Sequence, residues 1–259
     1  MTDLDPATAP AASRGPVDRF ARWTGLAAGA LAAALLAPLD HGAGVLYAIP
    51  AAGLCAVGGV LVADLLTAPS RGAVRTAGLA PRRIRAYVPP RMTALLLVLA
   101  LALVLLLVLA GALATPDDLG RAGRALTLTC HGTTERHSPW PGFFYGLPVL
   151  GSLTAATAVC GWSLRRIATR PGDDRSRRDR SLAVVAAWGF VVSGSLVGVT
   201  VTACGTLAAM TCDGTPGTAA TAVLLPLALV SLVTAGGTLL TVCSPRATGR
   251  SRAEGGESR

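Results

Sequence analysis

The sequence predicts an all-α fold, a polytopic membrane protein whose six transmembrane helices form three in–out–in hairpins. Three observations lead there. First, hydrophobic residues make up 52% of the 259 residues, charged residues only 14%, and the mean hydropathy is +0.55. A soluble domain carries roughly 25% charge, so this chain has too few polar groups to coat a water-soluble globule. Second, six apolar segments are of membrane-crossing type, a span needing about 20 residues for a core roughly 30 Å thick. Third, the arginines are distributed very unequally between alternate connections.

The six segments are Trp23–Leu39, Gly44–Leu66, Met92–Ala114, Phe143–Leu164, Ser181–Cys204 and Thr218–Cys243. The first is the shortest, and it is expected to be retained because the segment before it is long and no convincing small-x-small cleavage site precedes Pro38. The third is the most apolar, with only Ala, Leu and Val from Ala94 to Ala110. Asp64 lies two residues from the end of the second span and is expected to reach the headgroups. Before span one, between spans two and three, between spans four and five, and after span six lie 20 of the 23 arginines. Only Arg121, Arg124 and Arg136 lie in the alternate connections. Short cytoplasmic loops retain basic residues, which predicts cytoplasmic termini. The formal charge of +9 is therefore read as a topology signal, with no nucleic-acid partner, since these loops lack interleaved aromatics. The Arg165–Arg180 connection could also attract anionic lipid headgroups. All basic residues are Arg, amid abundant Ala, Gly and Leu. That bias suggests a GC-rich bacterial genome, and with the topology signal a plasma-membrane location.

Residues 1–18 and 246–259 are polar or small-residue tails expected to be disordered, which leaves 19–245 as the transmembrane domain. A short internal repeat supports the hairpin division. Gly44-x-x-Tyr47-x-x-Pro50-x-x-Gly53 matches Gly142-x-x-Tyr145-x-x-Pro148-x-x-Gly151 at an offset of 98 residues. Tyr47 and Tyr145, with Trp140, Phe143 and Phe144, suit the outer interface. Pro50 and Pro148 read either as ordinary helix starts or as kinks opening an outer cavity.

Small and hydroxyl residues mark packing faces in lipid. Gly194, Gly198 and Thr202 of span five are expected to meet Ser231, Thr234 and Thr238 of span six, as a packing face or a polar cavity. Spans five and six are accordingly expected to be interior and the tightest pair, with span three on the lipid-facing rim. Gly25-x-x-x-Gly29 should bring span one close to a neighbour.

The Thr115–Pro141 connection, read as an outer loop, holds Cys130, His131, Glu135 and His137. These residue types ligate zinc or copper, but their spacing fits no standard zinc pattern and no metal or other cofactor is predicted. A disulfide is the stronger reading for an oxidising outer face, with Cys130 and Cys212 as the expected pair and Cys204–Cys212 as the alternative. Cys55, Cys160 and Cys243 read as small packing residues. Phosphate-loop, nucleophile-elbow and zinc-protease motifs are absent, as are ionisable residues in mid-span. An enzyme is therefore not expected. The functional expectation is a permease-like or transporter-associated subunit for an uncharged or lipid-like substrate. Its expected partners are membrane lipids and another membrane or ATPase subunit. The alternative is a structural or assembly protein acting through helix and outer-loop contacts.

Overall fold

The computed structural model describes residues 16–39, 44–66, 89–130, 132–169, 174–210 and 215–243. Its elements are α1 (Pro16–Leu36), α2 (Val45–Leu66), α3 (Pro90–Ala112), β1 (Ala114–Thr115), β2 (Ala125–Cys130), β3 (Thr133–His137), α4 (Phe143–Thr169), α5 (Asp174–Ala208) and α6 (Thr215–Cys243). Five helices are long and apolar enough to cross a membrane, and α1 adds the shorter apolar stretch Phe20–Leu36. The chain is thus a helical membrane protein with one small sheet.

The helices begin and end where local chemistry allows. Pro90 opens α3 and Pro16 opens α1, positions where a missing N–H costs least. Residues 16–18, expected in the N-terminal tail, are therefore helical; the rest of both expected tails lies outside the described residues. Helices α4 and α5 also extend well into the arginine-rich connection, to Thr169 and from Asp174. That connection was expected as a loop, but seven of its residues on the α5 side continue the helix.

Helix α5 is the centre. It packs against α2, α3, α4 and α6, and 83% of its most apolar 18-residue window is buried. Val191, Val192, Leu196 and Val199 are almost wholly enclosed. Helix α3 contributes a leucine stripe, Leu96, Leu99, Leu103 and Leu107, with Leu106 half-buried beside it, and exposes Leu95, Leu97, Leu101, Leu105 and Leu109, as expected of a rim helix.

Helix α6 departs from expectation. It is peripheral, with only 22% of its window buried. Its buried seam is Leu224, Ala228, Ser231, Ala235, Thr238 and Val242, alternating four and three residues apart. That spacing makes a narrow seam of coiled-coil type against one neighbour, and the rest of the surface faces outward. The even spread of apolar residues around α6 concealed this. Small residues on two helices were read as evidence that both are interior, yet a peripheral helix needs small residues on only one side.

The closest glycine-mediated approach between two helices lies elsewhere too, between α1 and α2. A Cβ built on Gly25 would stand 2.6 Å from the Gly59 Cα, and one on Gly29 would stand 2.9 Å from the Ala52 carbonyl oxygen. The Gly25-x-x-x-Gly29 motif thus packs on α2, and this pair rather than α5–α6 is held tightest by glycine.

At the end away from the sheet, polar groups turn inward. Asp64 is buried and pairs with Arg180 at 3.5 Å. Arg22 is buried with its Nη1 3.5 Å from the Val242 carbonyl oxygen in the last turn of α6, where the helix dipole favours a cation.

Gly59→Leu should lower the stability of the detergent-purified protein by about 3 kcal/mol, the upper range for overpacking a filled contact. Gly58→Leu, whose Cβ meets nothing within 4 Å, should be nearly silent. Thermal unfolding of the two variants side by side checks this, and equal melting temperatures would contradict the α1–α2 contact.

Candidate functional site

The Thr115–Pro141 segment, expected as a loop, contains an antiparallel three-stranded sheet of order β1-β2-β3. The sequence signal was present. Leu126 and Leu128 alternate with Thr127 and Thr129, and the two-residue step to Thr133 carries Gly132 at φ +84°. Alternation closed by a glycine-bearing two-residue turn is a hairpin pattern. Gly120 and Gly123 adopt φ of +75° and +73°, turning the chain between β1 and β2.

The sheet is fastened to the bundle by a buried arginine. Arg124 is 4% exposed and donates through Nε and Nη2 to the Tyr145 hydroxyl at 3.2 and 2.8 Å. Its guanidinium lies 4.3 Å from the Phe144 ring centroid and 5.3 Å from that of Tyr145. Asp117 supplies a carboxylate 3.9 Å from Nε. Burial by itself pushes the Asp117 carboxyl upward, but hydrogen bonds from the Arg121 amide, the Arg121 guanidinium and the Leu119 amide outweigh it and hold the group below its ordinary value. The carboxylate is thereby kept ionised beside Arg124.

Tyr47 joins this cluster, its ring centroid 5.7 Å from Tyr145 and 6.4 Å from Phe144. The two repeat copies therefore meet in space through their tyrosines. Their glycines are not equivalent: a Cβ on Gly53 would meet Val191 at 2.8 Å, whereas Gly151 faces open space. Trp140, expected at the interface, is buried and donates from Nε1 to the Ala110 carbonyl at 2.8 Å. Gly142 abuts the Gly123 carbonyl so closely that no side chain fits there.

A cleft of about 250 Å³ lies between the end of β3 and the sheet-side end of α5, lined by His137, Ser138, Pro139, Thr202, Gly205 and Thr206. Thr206 donates to the Pro139 carbonyl at 2.6 Å and Thr202 to the Gly198 carbonyl at 2.8 Å. Ser138 donates to the Arg124 carbonyl at 3.3 Å. His137 Nε2 lies 4.0 Å from Glu135 Oε2.

The expected face between spans five and six is divided by the structure. Built Cβ atoms on Gly194 and Gly198 meet Ile49 of α2, at 3.2 and 2.7 Å, so these glycines admit α2 rather than α6. Thr202 belongs to the cleft. Ser231 and Thr238 do lie in the α6 seam, and Thr238 meets Gly189 of α5. Thr234 is half-buried beside the seam. The hydroxyls of Thr202, Ser231, Thr234 and Thr238 each donate to a carbonyl of their own helix, so the expected interhelical hydroxyl bonds are replaced by intrahelical ones.

Cys212 and His131 lie outside the described residues, as does the Cys130 side chain, so the expected disulfide does too. The strand register nevertheless bears on the metal question. Cys130 pairs with Thr133 and Leu126 with His137, which separates Cys130 from His137's partner by four residues, about 13 Å along a strand. Among the described residues no group of three or more potential ligands converges. Cys55, Cys160, Cys204 and Cys243 are free thiols.

Compared with known protein families, with curated proteins and with solved structures, the chain matches none.

Tyr145→Phe removes the acceptor of both Arg124 bonds and should weaken attachment of the sheet by about 1–3 kcal/mol, the cost of stranding a buried donor. Arg136→Ala, which removes an exposed ion pair to Asp118, should change stability by less than about 0.5 kcal/mol. Faster tryptic cleavage at Arg121 in the first variant alone is the expected readout.

Proposed function

We propose that the chain is a bacterial plasma-membrane protein with six spans in three in–out–in hairpins and both termini cytoplasmic. In this reading it acts by contact, as an assembly or transporter-associated subunit. Its lipid-facing helices and its outer cap engage a partner membrane or ATPase-linked subunit. The supporting observation is the enclosed α5 with its filled valine and leucine shell, joined to a cap anchored by Arg124. A packed centre under a fastened cap suits a scaffold that presents fixed surfaces.

The 20-to-3 arginine partition supports the orientation. The Cys130–Cys212 bridge belongs to the same proposal. Leu126 of β2 shares a buried cluster with Met210, which stands two residues before Cys212 in the sequence, and this supports the pairing. A second reading, a permease for an uncharged or lipid-like substrate, is favoured by the hydroxyl-lined cleft at the sheet-side end of α5.

Alkaline phosphatase fused after Arg124 should be active and after Arg170 inactive; the reverse pattern would overturn the orientation. Purified protein in liposomes should leave glycerol permeation and fluorescent-lipid scrambling at the rates of empty vesicles. Protein-dependent flux would favour the permease reading over the contact reading.

A further inference from the structure

The cleft beside β3 has a hydrogen-bonding character that its residue names conceal. A hydroxyl has one proton to donate and two lone pairs to accept with. Thr206 commits its proton to the Pro139 and Thr202 carbonyls, at 2.6 and 3.0 Å. Thr202 commits its proton to Gly198 and Ser138 commits its own to Arg124. All three hydroxyls are thus donors to backbone, and what they present to the cleft is lone pairs. The lining holds no arginine and no carboxylate, and its one ionisable side chain is the His137 imidazole. A ligand for such a surface must bring hydrogen-bond donors. A phosphate or carboxylate would meet lone pairs.

Size and position narrow the class further. At about 250 Å³ the cleft is below the usual 300–1,000 Å³ of pockets for drug-sized ligands and suits a single small polar group. Gly205 forms part of the lining with open space where a Cβ would stand, and Val201, one turn below on α5, is 57% exposed on the apolar surface. The cleft, mostly apolar in its walls but carrying the three hydroxyl oxygens, therefore adjoins lipid-facing helix at the end of the bundle where the chain leaves the apolar layer.

From this we infer that the cleft lined by His137, Ser138, Thr202, Gly205 and Thr206 is a binding site for a primary ammonium group, such as the headgroup amine of phosphatidylethanolamine. The ammonium carries three N–H donors, matched by the oxygens of the three hydroxyls. A quaternary choline has the same charge and no N–H, so it supplies none of those bonds. The site would form on either functional reading.

Native mass spectrometry of the full chain, released from nanodiscs of mixed phosphatidylethanolamine and phosphatidylcholine, tests this. Phosphatidylethanolamine should be retained about tenfold over phosphatidylcholine, the worth of one charge-assisted hydrogen bond. Gly205→Leu fills the cleft without removing any of the hydroxyl hydrogen bonds and should abolish the preference. Ala209→Leu, on the same lining, is a second filling variant should the first fail to fold. Free ethanolamine at millimolar concentration separates the sources: displacement of the lipid supports a site that reads the amine alone, and no displacement supports a lipid-borne amine. Equal retention of the two lipids by the wild-type chain would overturn the proposal. So would an undiminished preference in a folded, cleft-filled variant.

Discussion

The enclosure of α5 is the constraint on which the rest of the bundle depends. In lipid there is no hydrophobic drive between helices, so a helix becomes central only where its neighbours gain by packing closely on it. The α5 sequence permits that on several sides. Gly194 and Gly198 admit Ile49 of α2, while Gly189 admits Leu96 of α3 and Thr238 of α6. Its valines and Leu196 fill the space between. The glycine approaches thus seat α2 separately from α3 and α6, which share Gly189, while α4 packs on α5 without one. Helix α1 is held at one remove, through the Gly25–Gly59 contact with α2.

A second constraint acts at the sheet-bearing end. A buried guanidinium is tolerable only if its hydrogen bonds and charge are met. Arg124 has a phenol oxygen, a carboxylate and an aromatic face, drawn from the sheet segment and from α4. Strands of two, six and five residues could not order themselves in isolation. Arg124, the Trp140–Ala110 bond and the Thr206–Pro139 bond make the sheet an extension of the bundle. The arginine distribution obscured this role. Counted as one of three exceptions to a basic-inside pattern, Arg124 carries topological meaning, but its structural meaning comes from where Tyr145 falls in three dimensions.

What the sequence disclosed and what it withheld divide along physical lines. Long apolar runs determine spans because the thickness of hydrocarbon and the rise of a helix are fixed. Each of the six expected segments is helical over most of its length, five of them long enough to cross, while the third ends at Ala112 and gives Ala114 to β1. Boundaries shifted where solvent no longer decides: α5 continues back to Asp174, since a charged helix end in water costs little. Partner choice between helices was less legible. Gly194 and Gly198 showed that something approaches α5 there, but glycine admits any neighbour, and the neighbour is α2. The hydroxyl stripe on α6 was misleading for a related reason. Serine and threonine in a helix can satisfy themselves on the carbonyl four residues back, so their presence in lipid does not call for a partner. The sheet was legible in the Leu–Thr alternation but was outweighed by the reactive side chains of the same segment.

The same intrahelical bonding gives those hydroxyls a consistent chemical sign. A threonine that donates to its own helix keeps the backbone ladder intact and turns only lone pairs outward. Along the buried seam of α6 this makes Ser231 and Thr238 behave as small packing residues, which is why they sit beside alanines. At the end of α5 the identical chemistry faces a cleft, and the lone pairs become its recognition surface. Whether a hydroxyl in this protein acts as filler or as ligand is therefore set by what lies opposite it. Opposite Thr238 is Gly189, and opposite Thr202 and Thr206 is the turn from β3 into α4. That turn is held in place by Arg124, through the carbonyl that also receives the Ser138 hydroxyl and the Trp140 amide. The buried cation thus fixes the cap, the cap closes one wall of the cleft, and the cleft's acceptor character follows from bonds its hydroxyls already make.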